Sequence, residues 1–184
     1  PCEALYRADC CMPNGVSLDR FHPGPKAERP TLLFVGTWTG RKRGAWLFEQ
    51  FCDYVLPQTP AAELIMVSDT VSDECAAHPN VRVLDHPDDD TLADWYRRAW
   101  VFAYPSVYEG FGLPYLEAMA SGTPVVASPN PGADYVLDGG AYGALVDDDA
   151  FAGTLTALLR DPERRQHMAD RGLARASEFS WAAI

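Results

Sequence analysis

Six short apolar runs recur along the chain: "TLLFVG" at 31–36, "AELIMVS" at 62–68, "VRVLD" at 81–85, "WVFAYPS" at 100–106, "TPVVAS" at 123–128 and a shorter "GALV" at 143–146. They are continuous rather than alternating in polarity, as strands covered on both faces are. Between them the apolar residues fall at helical spacing. This holds over 44–56, over 89–99, where acids open the segment and arginines close it, and over 114–121. "PNPGADYVL" reads as a turn and a short helix, and two amphipathic helices separated at Asp161-Pro162 end the chain. Strands alternating with helices dictate an α/β fold, a doubly wound parallel sheet of about six strands with helices on both faces. Such sheets bind ligands at the carboxyl ends of their strands. The loops after strands one, three and four are therefore the places to look for chemistry.

The first of these loops, "GTWTGRKRG" at 36–44, is neither the glycine fingerprint of dinucleotide binding nor a Walker A loop. It gathers Arg41, Lys42 and Arg43 at a predicted helix start, where cations oppose the helix dipole. A bound anion would offset that cost, with arginine offering paired donors to phosphate oxygens. The plainer reading is a solvated basic turn.

The loop after strand four carries "YEGFGLPYLE" at 108–117. Pro114 suits a first helical turn, and neither Gly112 nor Leu113 supplies a capping oxygen. The helix thus opens with unfilled backbone donors, and Gly110 and Gly112 allow a ligand close to the main chain. Glu117 falls near the end of the first turn and leans back over it, so its carboxylate can accept from a vicinal diol such as ribose. Glu109 precedes the turn and can reach the other end of the same ligand. Taken singly, Glu117 could compensate the dipole and Glu109 could be a loop acid; the pair around one uncapped turn is more specific. Phe111 is a packing residue or a lid.

Composition narrows the function. The 184 residues hold 15 basic and 26 acidic side chains, a net charge of −11, which argues against nucleic acid as a partner. No apolar run approaches the length of a membrane span. The five cysteines, Cys2, Cys10, Cys11, Cys52 and Cys75, include no CxxC pair, so reduced thiols are expected. His22, His78, His86 and His167 lack metal spacing, and no metal ligand set is expected. Arg164, Arg165, Arg171 and Arg175 read as a solvated face of the last helices.

The stretch "PSVYEGFGLPYLEAMASGTPVVAS" at 105–128 resembles the donor-binding signature of retaining glycosyltransferases of GT-B fold, in particular the large family 4 group, whose hallmark is two glutamates spaced E-x7-E. "PNGVSLDRFHP" resembles that family's interdomain linker, "LLFVG…RKRG" its first strand and phosphate loop, "VRVLDHPDDDTLADWYRRAWVFAYPS" its base-binding segment, and "FSW" the start of its crossing helix. The resemblance implies a Rossmann-like C-terminal half of a GT-B enzyme: residues 1–12 as the tail of a preceding domain, 13–30 as linker or domain entry and 31–184 as a nucleotide-sugar donor domain. It implies a hexosyl donor carried on a nucleoside diphosphate, with no metal or other cofactor. The acceptor, of unknown sugar, lipid or glycan nature, would be held by the preceding domain. Glu117 would hold the ribose; Glu109 and the backbone of Gly110, Phe111 and Gly112 the sugar; Leu113 and Pro114 the pyrophosphate; Asp85, His86 and Pro87 the base. Where the family has an arginine after the glycine equivalent to Gly36, this chain has Thr37, and Arg43 replaces a lysine. Arg41 and Lys42 then become the substitutes, and Arg41, Arg43 and Glu109 the catalytic set. The chain starts at Pro1, which suggests an excerpt of a cytoplasmic enzyme that touches the membrane surface only at full length. Alone it is expected to bind donor weakly and transfer little. The rival readings are a non-catalytic nucleotide or sugar module and, against the missing glycine fingerprint, an NAD-dependent dehydrogenase.

Overall fold

A computed structural model describes residues 13–184. Six parallel strands form one sheet: β1 (Thr31–Val35), β2 (Glu63–Val67), β3 (Val81–Leu84), β4 (Val101–Tyr104), β5 (Val125–Ala127) and β6 (Ala144–Leu145), in the order β3-β2-β1-β4-β5-β6. The predicted doubly wound sheet is thus the observed one. Leu32, Leu33 and Phe34 of β1 and Val101 through Tyr104 of β4 are fully buried, as strands covered on both faces must be. β1 and β4 pair directly, Leu32 against Val101 and Leu33 against Phe102. The strand order reverses at this pair, so the crevice of the fold opens between the loops that follow β1 and β4.

The helices are α1 (Gly44–Gln50), α2 (Asp73–Ala77), α3 (Asp89–Arg98), α4 (Leu113–Ala120), α5 (Pro131–Leu137), α6 (Asp148–Arg160) and α7 (Pro162–Ser177). Helix α1 continues through a wide π turn at Phe51–Val55 into Leu56–Gln58. Pro57 has no amide to donate and its ring crowds the carbonyl four residues back, which a wider turn relieves. Helix α2 was not expected from the sequence. Its five residues are too few to show a period, but Ser72 marks its start by accepting from the Cys75 amide. The acidic runs lie at helix starts, with Asp88 capping α3 through the Thr91 amide.

The segment 13–30, read as linker or domain entry, packs on the domain: Val16 and Phe21 are buried, Val16 pairs with Ser180, and Phe21 meets the ring of Tyr96 edge-on. One expectation changes. The arginines of α7 are not uniformly solvated. Arg165 lies over Trp100 and donates to the Leu158 carbonyl, while Arg175 donates to the carbonyls of Tyr135 and Val136. Their long aliphatic stems let them cover apolar surface while the charge finds acceptors. Cys52 and Cys75 are free thiols, each pushed up to about 11, first by burial and then by Asp53 and Glu74 for Cys52 and by Cys52 and Glu74 for Cys75. Cys2, Cys10, Cys11 and the expected tail 1–12 lie outside the described residues.

Candidate functional site

The β1 loop tightens into a short 3-10 turn, Gly40–Lys42, and Arg43 then caps α1 in the left-handed region at φ 61°. This geometry separates the three cations. Arg41 and Lys42 turn toward the β4 loop, and the Val107 amide donates to the Arg41 carbonyl at 3.0 Å, tying the two loops together. Arg43 turns the other way: it grips Asp148 through two bonds of 2.8 and 2.7 Å and stacks over Trp46. Arg43 thus differs from the expectation in direction: it turns to Asp148 and Trp46 and away from the β4 loop that Arg41 and Lys42 face. Thr37 donates to the Thr39 carbonyl and shapes the turn, and Gly36 ends β1 with its amide on Val67.

Glu109 is the hub of the site. One carboxylate oxygen, Oε1, accepts from Arg41 at 2.7 Å, Lys42 at 2.6 Å and Ser106 at 2.5 Å. Its side chain is only 8% exposed and that of Lys42 only 14%, whereas Arg41 is half in water. Burial pushes the Glu109 carboxyl up, but the bonds from Lys42, Ser106 and Arg41 together hold it below the usual range, so it is a carboxylate. Lys42 also donates to the Tyr104 hydroxyl. Sequence reasoning placed Glu109 and Lys42 correctly in the same loops but missed Ser106, Tyr104 and Asn130. Asn130 is a buried knot: it caps α5 and donates to the Ser106 carbonyl and the Tyr115 hydroxyl. Its place before Pro131 was a legible cap signal.

Helix α4 begins without a capping side chain, as expected, with Gly112 at φ 92° before it. A Cβ on Gly112 would lie 2.4 Å from the Tyr115 ring and would also strain the backbone, so the turn requires glycine. Gly132 at the start of α5 lies against the same turn from outside; its amide donates to the Glu109 carbonyl at 3.0 Å, and a Cβ there would meet the Phe111 carbonyl at 2.7 Å. Among the described residues, the amides of Gly110, Phe111, Gly112 and Leu113 donate to no acceptor. Four successive free donors at a helix N-terminus form a cradle for an anion. The Phe111 ring is not a lid: it packs between Tyr135 and Phe179, so it anchors the turn and leaves only its amide to the cleft.

Glu117 stands one turn into α4 beside the Tyr96 phenol, which is buried without a partner at hydrogen-bonding geometry. Burial raises the Glu117 carboxyl above its ordinary range, and the neighbouring Tyr96 and Arg20 only partly counter this. The carboxyl opens into a cavity of about 270 Å³ with Arg20, Leu113 and Trp181 on its walls. Arg20 and Trp181 come from the two ends of the described chain, and no local pattern announced them. Asp85, His86 and Pro87 lie at the carboxyl end of β3; Asp85 and His86 are exposed, and His86 adopts φ 45°. β3 stands two strands from β1, roughly 10 Å at the usual interstrand spacing.

Sheet order and crevice are those of the C-terminal domain of a GT-B glycosyltransferase. The chain belongs to the family Glycosyl transferases group 1, whose pattern matches residues 29–161. It is 31% identical to D-inositol 3-phosphate glycosyltransferase 2 of Catenulispora acidiphila, over 97% of this chain and 50% of that protein. It is 30% identical to the phosphatidyl-myo-inositol mannosyltransferase of Mycolicibacterium smegmatis, over 99% of this chain and 51% of that one. The chain thus spans about half the length of these relatives. Among solved structures it superposes on the sucrose-phosphate synthase of Thermosynechococcus elongatus with a TM-score of 0.80 at 28% identity, covering 99% of this chain and 52% of that one. Among the described residues no helix is long and apolar enough to cross a membrane.

Proposed function

We propose that the chain is the donor-binding half of a metal-independent, retaining hexosyltransferase using a nucleoside diphosphate sugar. The observation that carries this reading is the row of four free amides at 110–113, beside Arg41 and Lys42 and between Glu109 and Glu117. A diphosphate in the cradle would meet backbone donors on one side and two cations on the other. The ribose diol would then reach Glu117 in its cavity, and the sugar would lie toward Glu109. The base would extend along the carboxyl edge to Asp85, His86 and Pro87.

The chemistry follows from charge. When the sugar–phosphate bond breaks, its electron pair leaves with the diphosphate and positive charge develops on the ring. Arg41, Lys42 and the free amides stabilise the departing anion as it forms, and they are held in place before it does. Glu109, ionised and near the ring, suits the cationic side. The acceptor hydroxyl would arrive from a preceding domain on the face the diphosphate leaves, which retains configuration. The relatives' names support transfer to an inositol-containing acceptor, which is one candidate class. The alternative, a nucleotide-binding module without transfer, would use the same cradle.

Calorimetry with UDP, GDP and NAD tests the reading. One of the diphosphates should bind, and binding of NAD alone would overturn it. Arg43→Ala should leave that affinity within about twofold, since the residue is committed elsewhere and distant sites act independently.

A further inference from the structure

A cavity of about 650 Å³ lies away from the donor cleft. It lies at the opposite, amino end of the sheet, where the chain enters β1, β2 and β3 and where α3 ends. A volume of this size is in the range that holds small-molecule ligands. Its walls carry five cations, Lys26, Arg29, Arg82, Arg97 and Arg98 among them all, against three acids, Glu28, Glu63 and Asp94. That excess stands on a chain of net charge −11.

The cations are not equivalent. Arg29 is paired with Glu63 at 2.5 Å, and Arg98 with Asp94 at 3.3 Å while lying over Trp95. Lys26 donates to the Thr123 hydroxyl. Arg97 and Arg82 are different: among the described residues neither has a carboxylate within ion-pair distance. The Arg97 guanidinium lies 3.5 Å from the Arg20 carbonyl through one terminal nitrogen, and its Nε is buried without an acceptor. Arg97 also closes the last turn of α3, where a cation suits the helix dipole. Arg82 projects from the edge strand β3 with its guanidinium 5.7 Å from the centre of the Trp95 ring.

We propose that this cleft is a second anion site, for a phosphorylated small molecule, held chiefly by Arg82 and Arg97. Guanidinium groups match phosphate oxygens in paired geometry better than a point charge does. The polar walls suit a hydroxylated body rather than an apolar one. The site is separate from the donor cleft, so its ligand does not compete with the diphosphate.

The test uses inorganic pyrophosphate and glucose 6-phosphate as probes, with citrate as a carboxylate control. Calorimetry is done on the described chain in an Arg41→Ala, Lys42→Ala background, which weakens the donor cradle. A phosphate probe should still bind there, and adding Arg82→Glu should weaken it at least about tenfold, a loss of 1.4 kcal/mol. Arg82→Gln, a milder change at an exposed position, should weaken it less; circular dichroism checks that both variants fold. No phosphate binding in the background, an affinity unmoved by both Arg82 variants, or citrate binding as tightly as the phosphates would each overturn the proposal.

Discussion

On the proposed function, Lys42→Ala should lower the turnover of sugar transfer by about 10²–10³-fold, the usual effect of removing one preorganised donor from a developing anion. The expectation rests on position. Lys42 is nearly buried, bonded to Glu109 and Tyr104, and held where the two loops of the crevice are joined. Arg41, half in water, should matter less. The loss should fall on turnover more than on the Michaelis constant, because negative charge on the diphosphate grows in the transition state. Steady-state kinetics of both variants decide it. An equal or larger effect at Arg41 would move the main cation outward to the surface.

Glu117→Gln should do two opposite things: raise the melting temperature of the free chain at neutral pH and weaken nucleoside diphosphate binding about tenfold. Burial has raised the carboxyl of Glu117, so its ionised form is unfavourable in the folded chain. The sign follows from linkage. A raised acid favours folding below its ordinary value, and that advantage is lost as pH rises through the raised value. At neutral pH the wild type therefore carries a cost that glutamine removes. In acid the carboxyl is neutral in both states, and the two proteins should converge. The ligand loss has a separate origin, since glutamine offers a diol one acceptor where the carboxylate offers two. Thermal melts at two pH values and one titration measure both. A variant that is less stable at neutral pH would show that Glu117 is structural.

The fold was legible because continuous apolar runs and helical spacing are local signals, and they alternate over most of 31–160 before two helices close the chain. Helix α2 escaped because five residues do not complete two turns. The uncapped start of α4 was legible from glycine and proline alone, and the structure bears it out at Gly112. The β1 loop was only half legible. Composition put three cations there, but which of them face the crevice depends on Arg43 adopting the left-handed region and on Asp148 waiting more than a hundred residues along. Phe111 was ambiguous for the same reason: its partners Tyr135 and Phe179 are brought to it by the fold. Arg20 and Trp181 meet around Glu117 only once the two ends of the described chain are brought to one cavity.

The row of free amides at 110–113 is the central claim, and a nitrogen–proton NMR titration of the chain with UDP, GDP and ADP tests it most directly. The account predicts that one of them shifts the amides of Gly110, Phe111, Gly112 and Leu113 most, with those of Arg41 and Lys42 moving in step. Saturation by any of the three with the largest shifts elsewhere, and none at 110–113, would contradict it.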